Sequence, residues 1–174
     1  MIFVTVGSQF GFDRLVRAVD RAVESGLIAG EVHAQIGDGH YTPRRFDFVR
    51  VMDKMAFDRH VELASALISH AGMGTLTAAL EFHKPILVMP RLKRFGEIVN
   101  DHQMETAEEF ARHGHVLFAR DENELLVTLP ALKTFTPAPR TVEPDAVARR
   151  ISAFLQQTAP RSARTAWERD RLPA

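Results

Sequence analysis

Ala-Leu-Ile-Ser-His-Ala-Gly-Met-Gly-Thr-Leu-Thr-Ala-Ala-Leu-Glu-Phe-His-Lys-Pro-Ile-Leu-Val-Met-Pro, residues 66–90, decides the fold. Ala66 to Ile68 is a short apolar run that breaks at Ser69-His70-Ala71-Gly72-Met73-Gly74. Thr75 to Phe82 carries apolar residues at helical spacing, and Lys84-Pro85 leads into a second apolar run, Ile86 to Met89. The pattern predicts strand, glycine turn, helix, strand, the crossover unit that a parallel sheet requires. The turn points the amides of Gly72, Gly74 and Thr75 outward at a helix N-terminus. Unpaired N–H groups and the helix dipole attract phosphate there.

A counterpart stands at the start of the chain. Ile2 to Val6 is a β-branched-rich run ending at Gly7, as expected of a buried parallel strand. The loop Gly7-Ser8-Gln9-Phe10-Gly11 follows. Leu15, Ala18, Val19, Ala22 and Val23 then recur at helical spacing between Asp13 and Gly26. Val32 to Ile36 and Phe46 to Met52 read as further strands, with residues 38–45 as an exposed loop between them. Residues 53–58 read as a loop ending in a helix cap, and 59–65 as a short helix.

Beyond Met89, residues 90–100 read as a polar loop containing Arg91, Lys93 and Arg94. A helix starting near Asp101-His102-Gln103 is expected to bury Met104, Ala107 and Ala111 and to end at Gly114. Val116 to Phe118 is the last strand. Asp121-Glu122-Asn123-Glu124 has the capping-box pattern and opens a helix with Leu125, Leu126, Leu129 and Leu132 inward. Residues 134–144 hold three prolines and read as a linker. A final helix from about Asp145 is expected to bury Val147, Ile151, Phe154 and Leu155. Residues 1–157 are thus expected to form one domain, and 158–174 a tail that is mobile or ordered by a partner. The fold class is α/β, a Rossmann-like doubly wound parallel sheet of about six strands. Gly7–Gly11, the 53–57 loop, His70–Thr75 and the 90–103 loop all fall at its carboxyl edge, where such sheets bind ligands.

Composition narrows the partners. The 174 residues contain 22 basic and 22 acidic side chains, so there is no electrostatic case for nucleic acid. With no cysteine, neither a disulfide framework nor thiolate chemistry is available. No apolar run approaches the roughly 20 residues of a membrane span, and the first residues lack a signal peptide's basic start. A cytoplasmic location is expected.

Neither glycine turn is a dinucleotide fingerprint or a Gly-x-x-x-x-Gly-Lys phosphate loop. His70, at a strand end beside the turn, either donates to a phosphate oxygen or bonds a neighbouring carbonyl. The histidines at 102, 113 and 115 lack a carboxylate placed with them, so no metal is expected. Arg91, Lys93 and Arg94 read either as a solvated loop or as a site for an anionic group. Asn100, Asp101, His102 and Gln103 gather four hydrogen-bonding side chains at one helix start. One of them can cap the helix, and hydroxyl-rich ligands want such a density of partners.

Three ordered segments, Ile68–Thr75, Lys84–Arg91 and Asn100–Gln103, resemble the C-terminal domain of glycosyltransferase family 28. Val4-Thr5-Val6-Gly7-Ser8-Gln9 followed by Phe12-Asp13-Arg14-Leu15 matches the start of that domain. Gly72–Gly74, Met89–Arg91 and Gly96–Gln103 are most similar to the soluble subunits of split bacterial exopolysaccharide glycosyltransferases. The eukaryotic split enzyme that adds the second N-acetylglucosamine to a dolichol-linked precursor is a more distant relative.

The resemblance implies the donor-binding half of a GT-B enzyme. Gly7, Ser8, Gln9, Gly72, Met73, Gly74 and Thr75 would face the donor phosphates, with His70 as the catalytic residue beside them. Met55 and Phe57 would contact uracil. Arg91, Asn100, Asp101, His102 and Gln103 would contact the donor sugar. Many members place a ribose-binding glutamate where this chain has Ala78, and a glycine where it has His83.

The activity implied is inverting, metal-independent transfer from a UDP-sugar, with no cofactor, to a polyprenyl-diphosphate-linked glycan in exopolysaccharide synthesis. The basic cluster favours glucuronate, with galactose next. The implied partner is a membrane-anchored acceptor-binding subunit that would hold this chain at the inner membrane. A homodimer is the alternative for the isolated chain. The rival readings are a non-catalytic nucleotide-sugar-binding or scaffold subunit and a self-sufficient sugar-nucleotide hydrolase.

Overall fold

A computed structural model describes residues 1–139 and 144–158. Its elements are β1 (Ile2–Thr5), α1 (Asp13–Glu24), β2 (Val32–Gln35), β3 (Asp47–Val49), α2 (Lys54–Leu63), β4 (Ala66–Ser69), α3 (Met73–Glu81), β5 (Ile86–Val88), α4 (His102–Arg112), β6 (Leu117–Phe118), α5 (Glu122–Thr128) and α6 (Pro144–Thr158). Short 3-10 turns occupy Lys93–Phe95 and Leu129–Lys133.

The six strands are parallel in the order β3-β2-β1-β4-β5-β6. The chain runs outward from β1 to β3, then returns to the other side of β1 as β4. Thr5 pairs with Ser69 in register, so Gly7 and His70 emerge side by side where the strand order reverses. This is the topological switch point, the habitual ligand site of such sheets.

Two apolar layers sandwich the sheet. Val4, Ile68 and Leu87 pack with Leu15, Val19 and Leu125 of α1 and α5 on one face. Phe3, Leu67 and Ile86 pack with Val61, Leu76 and Ala107 of α2, α3 and α4 on the other. Adjacent strand residues alternate between these layers because side chains along a strand point to opposite faces. Arg14 ties the first face to the 90–97 loop. It bonds Glu97 at 2.7 and 2.9 Å, Glu122 at 3.0 Å and the carbonyl of Pro90 at 3.2 Å.

Several expectations are corrected. Helix α2 begins at Lys54, because Asp53 caps it by accepting from the Ala56 amide at 2.8 Å; residues 53–58 are not a loop. The 38–45 loop is largely exposed, as expected, and it is also anchored. Buried Asp20 accepts from the Tyr41 hydroxyl at 2.6 Å and from the Arg44 and Arg45 amides at 3.1 and 3.0 Å. Asp121 caps α5 through the Asn123 and Glu124 amides, but Pro130 converts the continuation to a 3-10 turn. Leu129 and Leu132 are buried there all the same. His83 takes the left-handed conformation expected of a glycine, with φ of 52°.

The chain divides into two compact units between residues 140 and 141, so α6 belongs to the second. Val147, Ile151, Phe154 and Leu155 share one face of α6 but are 54–62 % exposed, not buried. Of the expected tail, residues 159–174 lie outside the described residues.

Candidate functional site at the sheet switch point

Four segments meet the carboxyl edge around β1 and β4: the loop after β1, the β4–α3 turn, the segment after β5 and the start of α4. The His70 ring is the centre of this arrangement. It is 8 % exposed and lies between two glycines. A Cβ on Gly7 would come within 2.9 Å of its Cε1, and one on Gly72 would overlap Nε2 and lie 2.8 Å from Cδ2. Gly7 has φ of +76° and is required by conformation as well as space. At Gly72, φ is an ordinary −89°, so the need is for space alone.

Hydrogen bonds fix the ring's proton. Ser69 donates its single hydroxyl proton to the Thr5 carbonyl at 2.7 Å. The contact of 3.1 Å between Ser69 Oγ and His70 Nδ1 is therefore donated by the ring. Neutral His70 presents Nε2 as an acceptor toward Gly72, and donation from Nε2 needs a second proton. Burial, and next the charge of Arg91, push its pKa down to about 3, so the free site holds the neutral ring.

The β4–α3 turn offers fewer amides than its sequence suggests. Thr75 N–H bonds the Gly72 carbonyl at 3.1 Å and is not free. The amides of Gly72, Met73 and Gly74 have no acceptor among the described residues. A Cβ on Gly74 would meet nothing within 4 Å. Helix α3 carries no side-chain cap, so its positive end stays uncovered.

The residues expected at the donor sugar separate into two groups. Gln103 is 4 % exposed, and its Oε1 accepts from the Arg91 amide at 3.1 Å. Arg91 is 3 % exposed and is no part of a surface cluster. Its Nη2 donates to the Val6 carbonyl at 2.5 Å and to that of Phe10. Asp101 accepts from the Lys93 amide at 2.7 Å. Asn100 Oδ1 contacts His102 Nδ1 and its amide, so the Asn100 side chain rather than that of Asp101 bonds the start of α4. Asn100, Asp101 and His102 are exposed, as are Lys93 and Arg94.

Ser8 and Gln9 are exposed on the β1 loop, and among the described residues their side chains form no hydrogen bond. Met55 and Phe57 do not form one surface. Met55 is 80 % exposed in the first turn of α2, whereas Phe57 is partly buried and packs edge-on against core Phe3 at 5.8 Å. Ala78 is buried, and Glu81 lies eight residues from the start of α3, about 12 Å along its axis. Glu81 does not reach the turn. No group of three His, Asp or Glu among the described residues is placed to hold a metal. A cleft of about 640 Å³ lies between α1 and residues 40–45, but Asp20 and Glu24, which line it, already bond that segment.

The glycosyltransferase family 28 C-terminal domain model matches residues 1–134. The chain belongs to this family. Human UDP-N-acetylglucosamine transferase subunit ALG13 is 33 % identical over 129 residues, covering 67 % of this chain and 11 % of that protein. The mouse subunit ALG13 is 33 % identical over 127 residues, covering 67 % of this chain. This chain therefore spans about a tenth of each relative's length. The solution structure of ALG13 superposes with a TM-score of 0.55 at 20 % identity, covering 86 % of this chain and 93 % of that one. MurG of Acinetobacter baumannii gives a TM-score of 0.52 at 18 % identity, covering 76 % of this chain and 39 % of MurG. These likenesses confirm the Rossmann-like fold of the family 28 C-terminal domain.

Proposed function

We propose that this chain is the donor-binding part of an inverting, metal-independent transferase that moves a sugar from UDP to a lipid-linked glycan. The observation that carries this reading is the uncapped turn Gly72–Gly74 at the switch point of a family 28 domain. Its free amides and helix dipole suit a diphosphate as substrate and as leaving group. A bound diphosphate's negative charge would raise the His70 pKa against burial and Arg91, and only after taking a second proton from solvent would the ring donate to it from Nε2. Ser8, Gln9 and the exposed trio Asn100–His102 would contact the sugar, while buried Gln103 holds the Arg91 backbone.

The acceptor hydroxyl would be activated by a base on a separate membrane-anchored subunit, which would hold this chain at the cytoplasmic face of the membrane. The word "subunit" in the relatives' names supports a divided enzyme. For the sugar, Lys93 and Arg94 are what favours glucuronate in exopolysaccharide synthesis, since Arg91 is buried on backbone carbonyls. N-acetylglucosamine, named for the relatives, and galactose are the neutral competitors.

Two measurements test the reading. Calorimetry with UDP should show binding that Gly72→Asp abolishes. Turnover with the partner present, over UDP-glucuronate, UDP-galactose and UDP-N-acetylglucosamine, should stop in His70→Ala without loss of partner binding. Failure of the wild-type chain to bind UDP sinks the proposal. Loss of glucuronate preference in Lys93→Ala with Arg94→Ala is expected, and its retention removes the argument for that sugar.

A further inference from the structure

The Arg91 guanidinium is a buried cation with no carboxylate paired to it among the described residues. Its Nη2 donates to the Val6 and Phe10 carbonyls, its Cζ lies over the Phe12 ring at 5.3 Å from the centroid, and its Nε is buried without an acceptor among the described residues. Glu97, which acts on it from a distance, is itself bound to Arg14. Burying an unpaired charge is costly, and a neutral donor could serve two carbonyls at lower cost. The loop that Arg91 grips also presses Gly7 against His70, and the arginine's charge reaches that histidine.

We propose that Arg91 is a positioning residue and the fixed counter-charge of the donor site. It holds the Val6–Phe10 loop by two carbonyls and leaves its positive charge for the diphosphate received by the Gly72–Gly74 turn. This rests on the donor-site reading above. Arg91 acts through the loop and through its field, without touching the ligand. Burial lowers its pKa only to about 10, so it stays charged near neutrality. A fixed cation favours a ligand in proportion to the ligand's charge, so UDP feels it and uridine does not.

The test is calorimetric titration of the full 174-residue chain, and of its Arg91→Gln and Arg91→Lys variants, with UDP and with uridine. Glutamine keeps a donor for the carbonyls and removes the charge. Arg91→Gln should weaken UDP on the order of tenfold while uridine changes less than about threefold. Arg91→Lys should keep UDP within about threefold of wild type. Equal losses for both ligands in Arg91→Gln would reduce Arg91 to loop support and overturn the inference, as would an unchanged UDP affinity. Should Arg91→Gln not fold, Arg91→Lys decides: tenfold weaker UDP with uridine unchanged overturns the inference on its own. A wild-type chain that binds neither ligand overturns the donor-site reading and this inference with it. Wild-type binding with the wrong split sinks the inference alone.

Discussion

The two glycine turns of this chain look like duplicates in sequence and are built for different tasks. After β1, the turn is held: Arg91 grips its carbonyls, and Gly7 bonds the Thr5 hydroxyl at 3.2 Å through its amide. After β4, the turn is open: among the described residues three amides lack acceptors, and Gly74 faces free space. His70 lies between them and belongs to both. One turn is wall and the other is mouth, although the same residue type writes each. Glycine in the first serves conformation as well as close packing. In the second it serves room, for a side chain at Gly72 and for a ligand at Gly74.

Three substitutions sharpen that contrast. Gly72→Ala should have the largest effect, because its Cβ would overlap a buried ring that cannot move without losing Ser69. A loss of about 2–3 kcal/mol in denaturant unfolding is expected, together with loss of UDP binding. A stable Gly72→Ala would mean that the ring is not wedged.

The second effect is pH dependence. The folded pKa of His70 lies below its unfolded value of about 6.5, so the unfolded chain takes up the proton first. Its contribution is full above about pH 6.5 and is lost as pH falls toward about 3, at up to roughly 1.4 kcal/mol per pH unit. His33, stacked on His60 at 4.6 Å, is lowered too, by burial and then by His60. The informative quantity is therefore the difference between wild type and His70→Gln across pH 5–7. Parallel stability curves would contradict the neutral, buried ring.

Gly74→Ala should have the smallest effect, and of opposite sign. With nothing within 4 Å of the new Cβ, the exposed helix start should gain up to about 1 kcal/mol. UDP binding should nonetheless weaken, and equal UDP affinity would move the ligand away from this turn.

Much of the architecture is legible in the sequence because it rests on local signals. The six apolar runs, their separating helices and the glycine turns need only short-range patterns, and all six strands lie within the expected ranges. The site is less legible because its supports are distant in the chain. Arg91 resembles a surface arginine until the carbonyls of Val6 and Phe10 are brought to it, 85 and 81 residues away. Arg14 and Glu97 likewise meet across 83 residues. Gln103 reads as a ligand contact because its true partner, the Arg91 amide, is set by packing at the sheet edge. The start of α2 is a local miss. Phe57, Val61 and Ala64 already carry helical spacing, and Asp53 is an acceptable cap as much as Asp58.

The wedge at His70 also has a consequence for how this sequence varies. The imidazole occupies the volume that a methyl at position 72 would need. A related chain that places alanine there must place a smaller or differently turned side chain at position 70. A substitution at either position is therefore expected to be tolerated only with a matching change at the other.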